Sequence, residues 1–177
     1  MSEPSNLFLG IETLGGTEWE VVIKEKSPGG IDINRDLPNP IYKLSRIALA
    51  LEKFEKEILK KMKVPETYDK NMSLDLLTYQ IYSGGSDYLE TGAVPVMGHI
   101  YFWFGTFSYM KENEVKKILD EYMKEELSKY NDFKDYFPSF KNIIRFMDGH
   151  KTNTDHPAMS SIRKSYKKLK IKCEEKG

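Results

Sequence analysis

Cys173 is the single cysteine among 177 residues. That excludes an internal disulfide and any cysteine-built zinc cluster, and it fits a reducing compartment. A charge excess is also missing, because 27 Lys and Arg stand against 27 Asp and Glu. A nucleic-acid binder ordinarily carries a basic surplus, so the balance argues against that class. The opening MSEPSNLFLG has neither a basic n-region nor an apolar h-region, and the expectation is a cytoplasmic protein. One long stretch, residues 91–110, has no Asp, Glu, Lys or Arg. Its Pro95, its glycines and its aromatic centre IYFWFGTF suit a buried strand better than a spanning helix, which needs about 20 mostly apolar residues without such breaks. There is no GxGxxG, Walker loop, GxSxG, HExxH or CxxC, so no nucleophile, base and oxyanion site can be assembled from local motifs.

What is present is a regular alternation of strand and helix patterns. LFLGIET (7–13) and TEWEVVIKE (17–25) read as strands separated by a turn at Gly15-Gly16. In the second, Trp19, Val21 and Ile23 share one face and Glu18, Glu20 and Lys24 the other. After a Pro- and Gly-rich loop, a helix over 40–62 begins with Asn39 as N-cap and Pro40 in its first turn. Ile41, Leu44, Ile47, Ala48, Leu51, Phe54, Ile58 and Met62 form its apolar stripe. Strands follow at 73–82 and 97–108. In the latter, Ile100, Phe102 and Phe104 face one way and Tyr101, Trp103 and Phe107 the other, which predicts a central strand covered on both sides. A helix over 112–130, a strand over 142–148 (NIIRFMD) and a last helix capped by Asp155 complete the chain.

Without its first short strand and last helix, the order is β-α-β-β-α-β. This predicts an α+β, ferredoxin-like split βαβ fold: a four-stranded antiparallel sheet with two helices on one face. The strand after the first helix then lies at an edge. Between Ser73 and Tyr82 only Asp75 is charged, so this edge is poorly defended against pairing. The expected partner is a second copy of the chain, through strand 73–82 (Leu74, Leu76, Thr78, Gln80, Tyr82) and helix 40–62.

Chemistry-bearing residues are few. His99 opens an aromatic strand and reads as an ordinary half-buried histidine. His150 and His156 flank Asp155 in GHKTNTDHP, a spacing that reads as a cap with two solvated histidines rather than as a metal site. On these residues alone the chain is a binding or structural module, free-standing and without catalysis.

Four stretches, in order, resemble the dinuclear-zinc amidohydrolases related to aminoacylase, acetylornithine deacetylase and succinyl-diaminopimelate desuccinylase. SEPSNLFLGIETLGGTEWEVVIKEK resembles the "EPT" stretch leading into that family's lid, and LPNPIYKLSRIALALEKFE its "GxNAI" helix start. YSGGSDYLETGAVPVMGHIYFWF resembles its "GG…N-x-VP" segment, and TNTDHPAMSSIRKSYKK its "D-x-HP" return. The resemblance implies a lid and dimerisation domain over 17–150, a leading strand (1–16) and a return helix (151–177) joined to a catalytic domain outside this sequence. It implies zinc in the full-length enzyme, with Glu3 as one metal ligand, and neither bound cofactor nor catalysis in this chain alone, since one carboxylate cannot hold a dinuclear site. It also implies two departures. Gly29 stands where many members have a lid His, and Gly105 where many have an Arg that contacts the substrate carboxylate. Asn34, Arg35 and His99 are the candidate substitutes for substrate binding.

Overall fold

The computed structural model describes residues 9–25, 40–84, 97–134 and 136–177. The strands are β1 (Leu9–Gly10), β2 (Glu12–Thr13), β3 (Gly15–Lys24), β4 (Leu76–Gly84), β5 (Met97–Thr106), β6 (Ser139–Asn142), β7 (His150–Lys151) and β8 (Glu175–Lys176). The helices are α1 (Pro40–Glu57), α2 (Glu112–Leu127) and α3 (Pro157–Lys168). Four strands form one antiparallel sheet in the order β4-β5-β3-β6, and the connectivity β3-α1-β4-β5-α2-β6 is the split βαβ arrangement. The first and last segments run together, with β1 parallel to β8 and β2 antiparallel to β7.

Alternation along β3 and β5 builds the core. Trp19, Val21 and Ile23 meet Ile100, Phe102 and Phe104 on the helix side, all at most 1% exposed. Leu44, Ile47, Leu51 and Phe54 of α1 and Val115, Leu119 and Met123 of α2 close over them. Phe54 meets Phe104 and Tyr122 edge-on, at centroid distances of 5.9 and 5.4 Å, so a single ring ties both helices to the sheet. The Tyr122 hydroxyl donates to Glu57 at 2.7 Å, and Lys53 pairs with Glu126 across the same helix interface.

Several sequence expectations are corrected here. Gly15 and Gly16 are not a turn but the start of β3, paired with Thr106 and Gly105. The strand expected over 142–148 lies earlier, at Ser139–Asn142. Beyond it the chain follows β3 irregularly, with Ile143 donating to Glu18 and Met147 to Gly16 through backbone bonds of 3.0 and 2.9 Å. Helix α1 ends at Glu57 and passes into a short 3-10 turn, Leu59–Lys61, and Ile41 of its expected stripe is half exposed. His156, not Asp155, caps α3, its Nδ1 accepting from the Ala158 backbone at 3.2 Å. Helices α1 and α2 lie on one face of the central strand β5, His99, Tyr101 and Trp103 on its other face are half-buried, and Phe107 lies beyond its end, buried in the core. Asn39 is outside the described residues.

Glu12 on β2 pins four segments. Its carboxylate, nearly sealed from solvent, accepts from the hydroxyls of Thr67 and Ser108 and lies 3.8 Å from the Lys151 ammonium. Burial pushes its pKa up, but the two hydroxyls and Lys151 outweigh that and hold it below the ordinary value. A carboxyl depressed in the folded state adds stability above its unfolded pKa and loses it as pH falls through the folded one. Glu12→Gln is therefore expected to cost about 1–3 kcal/mol at neutral pH and clearly less near pH 3. Urea denaturation of both proteins at the two pH values checks this.

Candidate functional site on the sheet face opposite the helices

The sheet face opposite the helices, open as far as the described residues go, carries the polar and aromatic residues that alternate with the core. From β3 come Glu18 and Glu20, from β5 His99, Tyr101 and Trp103, and from β4 Leu77, Tyr79, Gln80 and Tyr82. The register sets Glu20 beside Tyr101, Tyr82 beside His99, and Leu77 beside Trp103. A bulge between Thr78 and Gln80 shifts the alternation of β4 and turns Tyr79 onto this face as well, where its hydroxyl donates to Glu18 across β5.

Glu20 is the hub of the site. The Tyr101 hydroxyl donates to its Oε1 at 2.8 Å, and His99 Nδ1 lies 2.8 Å from the same oxygen. Burial raises the Glu20 pKa, but the Tyr101 and His99 hydrogen bonds, reinforced by the charge of Lys141 opposite it on β6, bring it below the ordinary value. With Glu20 ionised, Nδ1 of His99 is the donor in this bond. His99 stacks on Tyr101 at 6.2 Å with planes 5° apart. Tyr82 and Tyr79 continue the row, at 5.9 Å from His99 and 6.3 Å from Tyr101. Burial and the Glu18 carboxylate push the Tyr79 phenol up to about 12.

The expected site residues fall unevenly on this frame. His99 is at the centre. Gly105 is on the same face next to Trp103, and a Cβ there would meet Leu74 and Trp103 at an ordinary 3.6 Å, so the backbone itself leaves room for a side chain. Glu3, Gly29, Asn34 and Arg35 lie outside the described residues. The five edge residues do not form one patch. Leu74 precedes β4 and is 1% exposed in the core, so it is not available to a partner. Leu76 and Thr78 pair with Phe104 and Phe102 on the helix side, and beyond the bulge Gln80 and Tyr82 sit on the open face. The exposed apolar residues of the edge are instead Leu77, Tyr79 and Ile81. Among the described residues no three His, Cys, Asp or Glu side chains are grouped to hold a metal ion, and no helix is long and apolar enough to cross a membrane.

A second feature lies near the chain's paired end segments. A cleft of about 740 Å³ is lined by Glu12, Leu14, Tyr68, Met72 and Lys176, among others. The Tyr68 hydroxyl is buried there without a hydrogen-bond partner, and burial, with the nearby Glu12 charge, raises its pKa to about 12. Neither residue was singled out from sequence, where Glu12 looks like one more strand carboxylate.

Fold and site together define an α+β domain whose sheet packs α1 and α2 on one face and carries polar and aromatic residues on the other. No family model and no curated protein matches the chain. Solved structures of similar fold include a di-peptidase, Dug1p from Saccharomyces cerevisiae (TM-score 0.61, 12% identity, 96% of this chain and 43% of that one). Others are AtUAH in complex with (S)-hydroxyglycine (TM-score 0.57, 11% identity, 95% and 35%) and an amidase of the hydantoinase/carbamoylase family from Burkholderia vietnamiensis (TM-score 0.56, 9% identity, 94% and 35%). At these identities the likeness is one of fold, and this chain spans less than half the length of each.

Proposed function

We propose that this chain is the lid and dimerisation domain of an amidohydrolase or peptidase acting on linear amides such as N-acyl amino acids or short peptides. The observation that carries the reading is the likeness in fold of nearly the whole chain to part of a di-peptidase and part of an amidase. Side-by-side placement of β1 with β8 and of β2 with β7 supports an inserted domain, with 1–16 leading in and 151–177 leading out, because such a domain needs its two connections close together. In this reading the open face looks toward the substrate, and closure shields the reaction from water. Zinc belongs to a catalytic domain. By itself the chain is expected to hydrolyse nothing, because one carboxylate, Glu3, cannot hold a dinuclear site.

The dimer in this proposal forms at edge strand β4 and the adjoining helix α1. Leu77, Tyr79 and Ile81 on the strand, with Ile41, Tyr42 and Leu49 on the helix, are all between 46% and 64% exposed. A long apolar edge of this kind is a template for antiparallel pairing with its own copy. Sedimentation equilibrium should find a dimer, and Ile81→Asp, which sets a charge in the edge without touching the core, should give a folded monomer. A wild-type monomer at high concentration would remove the dimer. Coding sequence on both sides of residues 1–177 that supplies zinc-ligand segments would establish the inserted lid, and its absence would favour a free-standing module.

A further inference from the structure

Helix α3 begins with a cap that titrates. Its N-cap is His156, in extended backbone (φ −61°, ψ 139°), and the ring Nδ1 accepts from the Ala158 backbone N–H at 3.2 Å. A cap has to be an acceptor, and a neutral imidazole has one nitrogen lone pair to offer, here on Nδ1, with its hydrogen on Nε2. The common caps Ser, Thr, Asp and Asn accept at any pH near neutrality. Histidine does not, because a protonated ring has two N–H donors and no acceptor. The imidazolium would also stand at the positive end of the helix dipole. No acidic residue lies in the first turn of α3 to offset it.

That turn is also where the helix is anchored. Met159 is the one buried residue of α3, 5% exposed, and its N–H donates to the His156 carbonyl at 2.9 Å. Arg163, one turn on, reaches back to the Thr154 carbonyl at 3.0 Å and grips both carboxylate oxygens of Glu175 on β8, at 2.5 and 3.1 Å. Strand β8 runs beside β1, so α3 stands where the two end segments meet. The charged and titratable groups of the adjoining segments are Asp155 beside His156, Arg163 on α3, His150 and Lys151 on β7, and Glu175 on β8. Among the described residues none of them pairs with the His156 ring: Lys151 lies by Glu12, and Arg163 holds Glu175.

We propose that His156 is a pH-sensitive latch: as its ring takes up a proton, the first turn of α3 frays and Met159 leaves its seat, unfastening the return helix where the end segments meet. The sign follows from the acceptor. A cap that needs the unprotonated ring contributes stability above the pH range in which histidine titrates, and loses it as pH falls through that range. The latch goes beyond the lid reading and does not rest on it.

The test is NMR of the isotopically labelled whole chain, following the Cα shifts of residues 158–161 from about pH 7.5 to about pH 5. Peroxide oxidation of Met159, mapped by mass spectrometry at both ends of that range, reports the anchor. On acidification the ratio of helical to frayed first turn is expected to fall about fivefold, and Met159 to oxidise about fivefold faster. His156→Asn keeps an acceptor that does not titrate, and it should hold the turn helical and Met159 protected at both pH values. His156→Ala should show the acid behaviour already at the higher pH. Shifts that do not move, an unchanged oxidation rate of Met159, the wild-type pH dependence retained in His156→Asn, or an intact first turn in His156→Ala would each overturn the proposal.

Discussion

Gly15→Ala is expected to destabilise the chain by about 3 kcal/mol, a large share of the 5–15 kcal/mol that holds a domain of this size together. The new Cβ would lie 2.1 Å from the Met147 carbonyl oxygen, 2.5 Å from the Gly149 nitrogen and 2.6 Å from the Thr106 hydroxyl. Two of those atoms are backbone and cannot turn aside as a flexible side chain does. Relief requires the segment after β6 to move off β3, and that breaks the paired bonds between Gly16 and Met147, each 2.9 Å. Gly10→Ala is the matched control, because a Cβ there meets nothing within 4 Å, and its cost should stay within about 0.5 kcal/mol. Urea denaturation of the three proteins checks both. Equal stability of the two variants would mean that the chain after β6 does not pack on β3 as described.

The same glycines mark where sequence reasoning stopped. A Gly-Gly pair between two strand patterns has a local meaning, a turn, and a non-local one, two backbones in close approach. The positions of residues 105–106 and 147–149 decide between them, about ninety and more than a hundred and thirty residues along the chain. Helix α1, the alternation in β3 and the order of elements were legible because each rests on a short period in neighbouring residues. The bulge at Tyr79 was not, since it has no glycine or proline to announce it, and it turned a five-residue edge patch into residues on two faces. For the site, His99 and the Glu18, Glu20 face of β3 could be read from alternation. The bond between His99 and Glu20 could not, because it joins positions 79 apart in sequence and exists only through the pairing of β3 with β5. Glu12 was unreadable for a related reason. Its partners Thr67, Ser108 and Lys151 come from three separate segments, and nothing local distinguishes it from a solvated strand carboxylate.

Phe54→Ala is expected to cost about 3–5 kcal/mol, the range for removing a large aromatic ring from a closed core. Phe54 is 1% exposed and is the ring that α1 presents to both Phe104 of β5 and Tyr122 of α2. The cavity left behind has little to collapse into it, because the sheet side is a run of aromatic rings held by strand pairing and the helix side is fixed by the Tyr122–Glu57 and Lys53–Glu126 contacts. Leu169→Ala, at the end of α3 and outside the proposed dimer interface, removes an apolar side chain that is 68% exposed, and its cost should stay within about 0.5 kcal/mol. The contrast reaches the open face as well. Phe104 and Trp103 are consecutive on β5 and point to opposite sides, so loosening the ring below β5 loosens the strand that positions His99 and Tyr101 above. A Phe54→Ala protein that still folds should exchange the backbone amide hydrogens of β5 faster although no residue of that strand has changed, whereas Leu169→Ala should exchange them as the wild type does. Equal exchange in all three proteins would mean that the face keeps its geometry through strand pairing alone, without the helix layer beneath it.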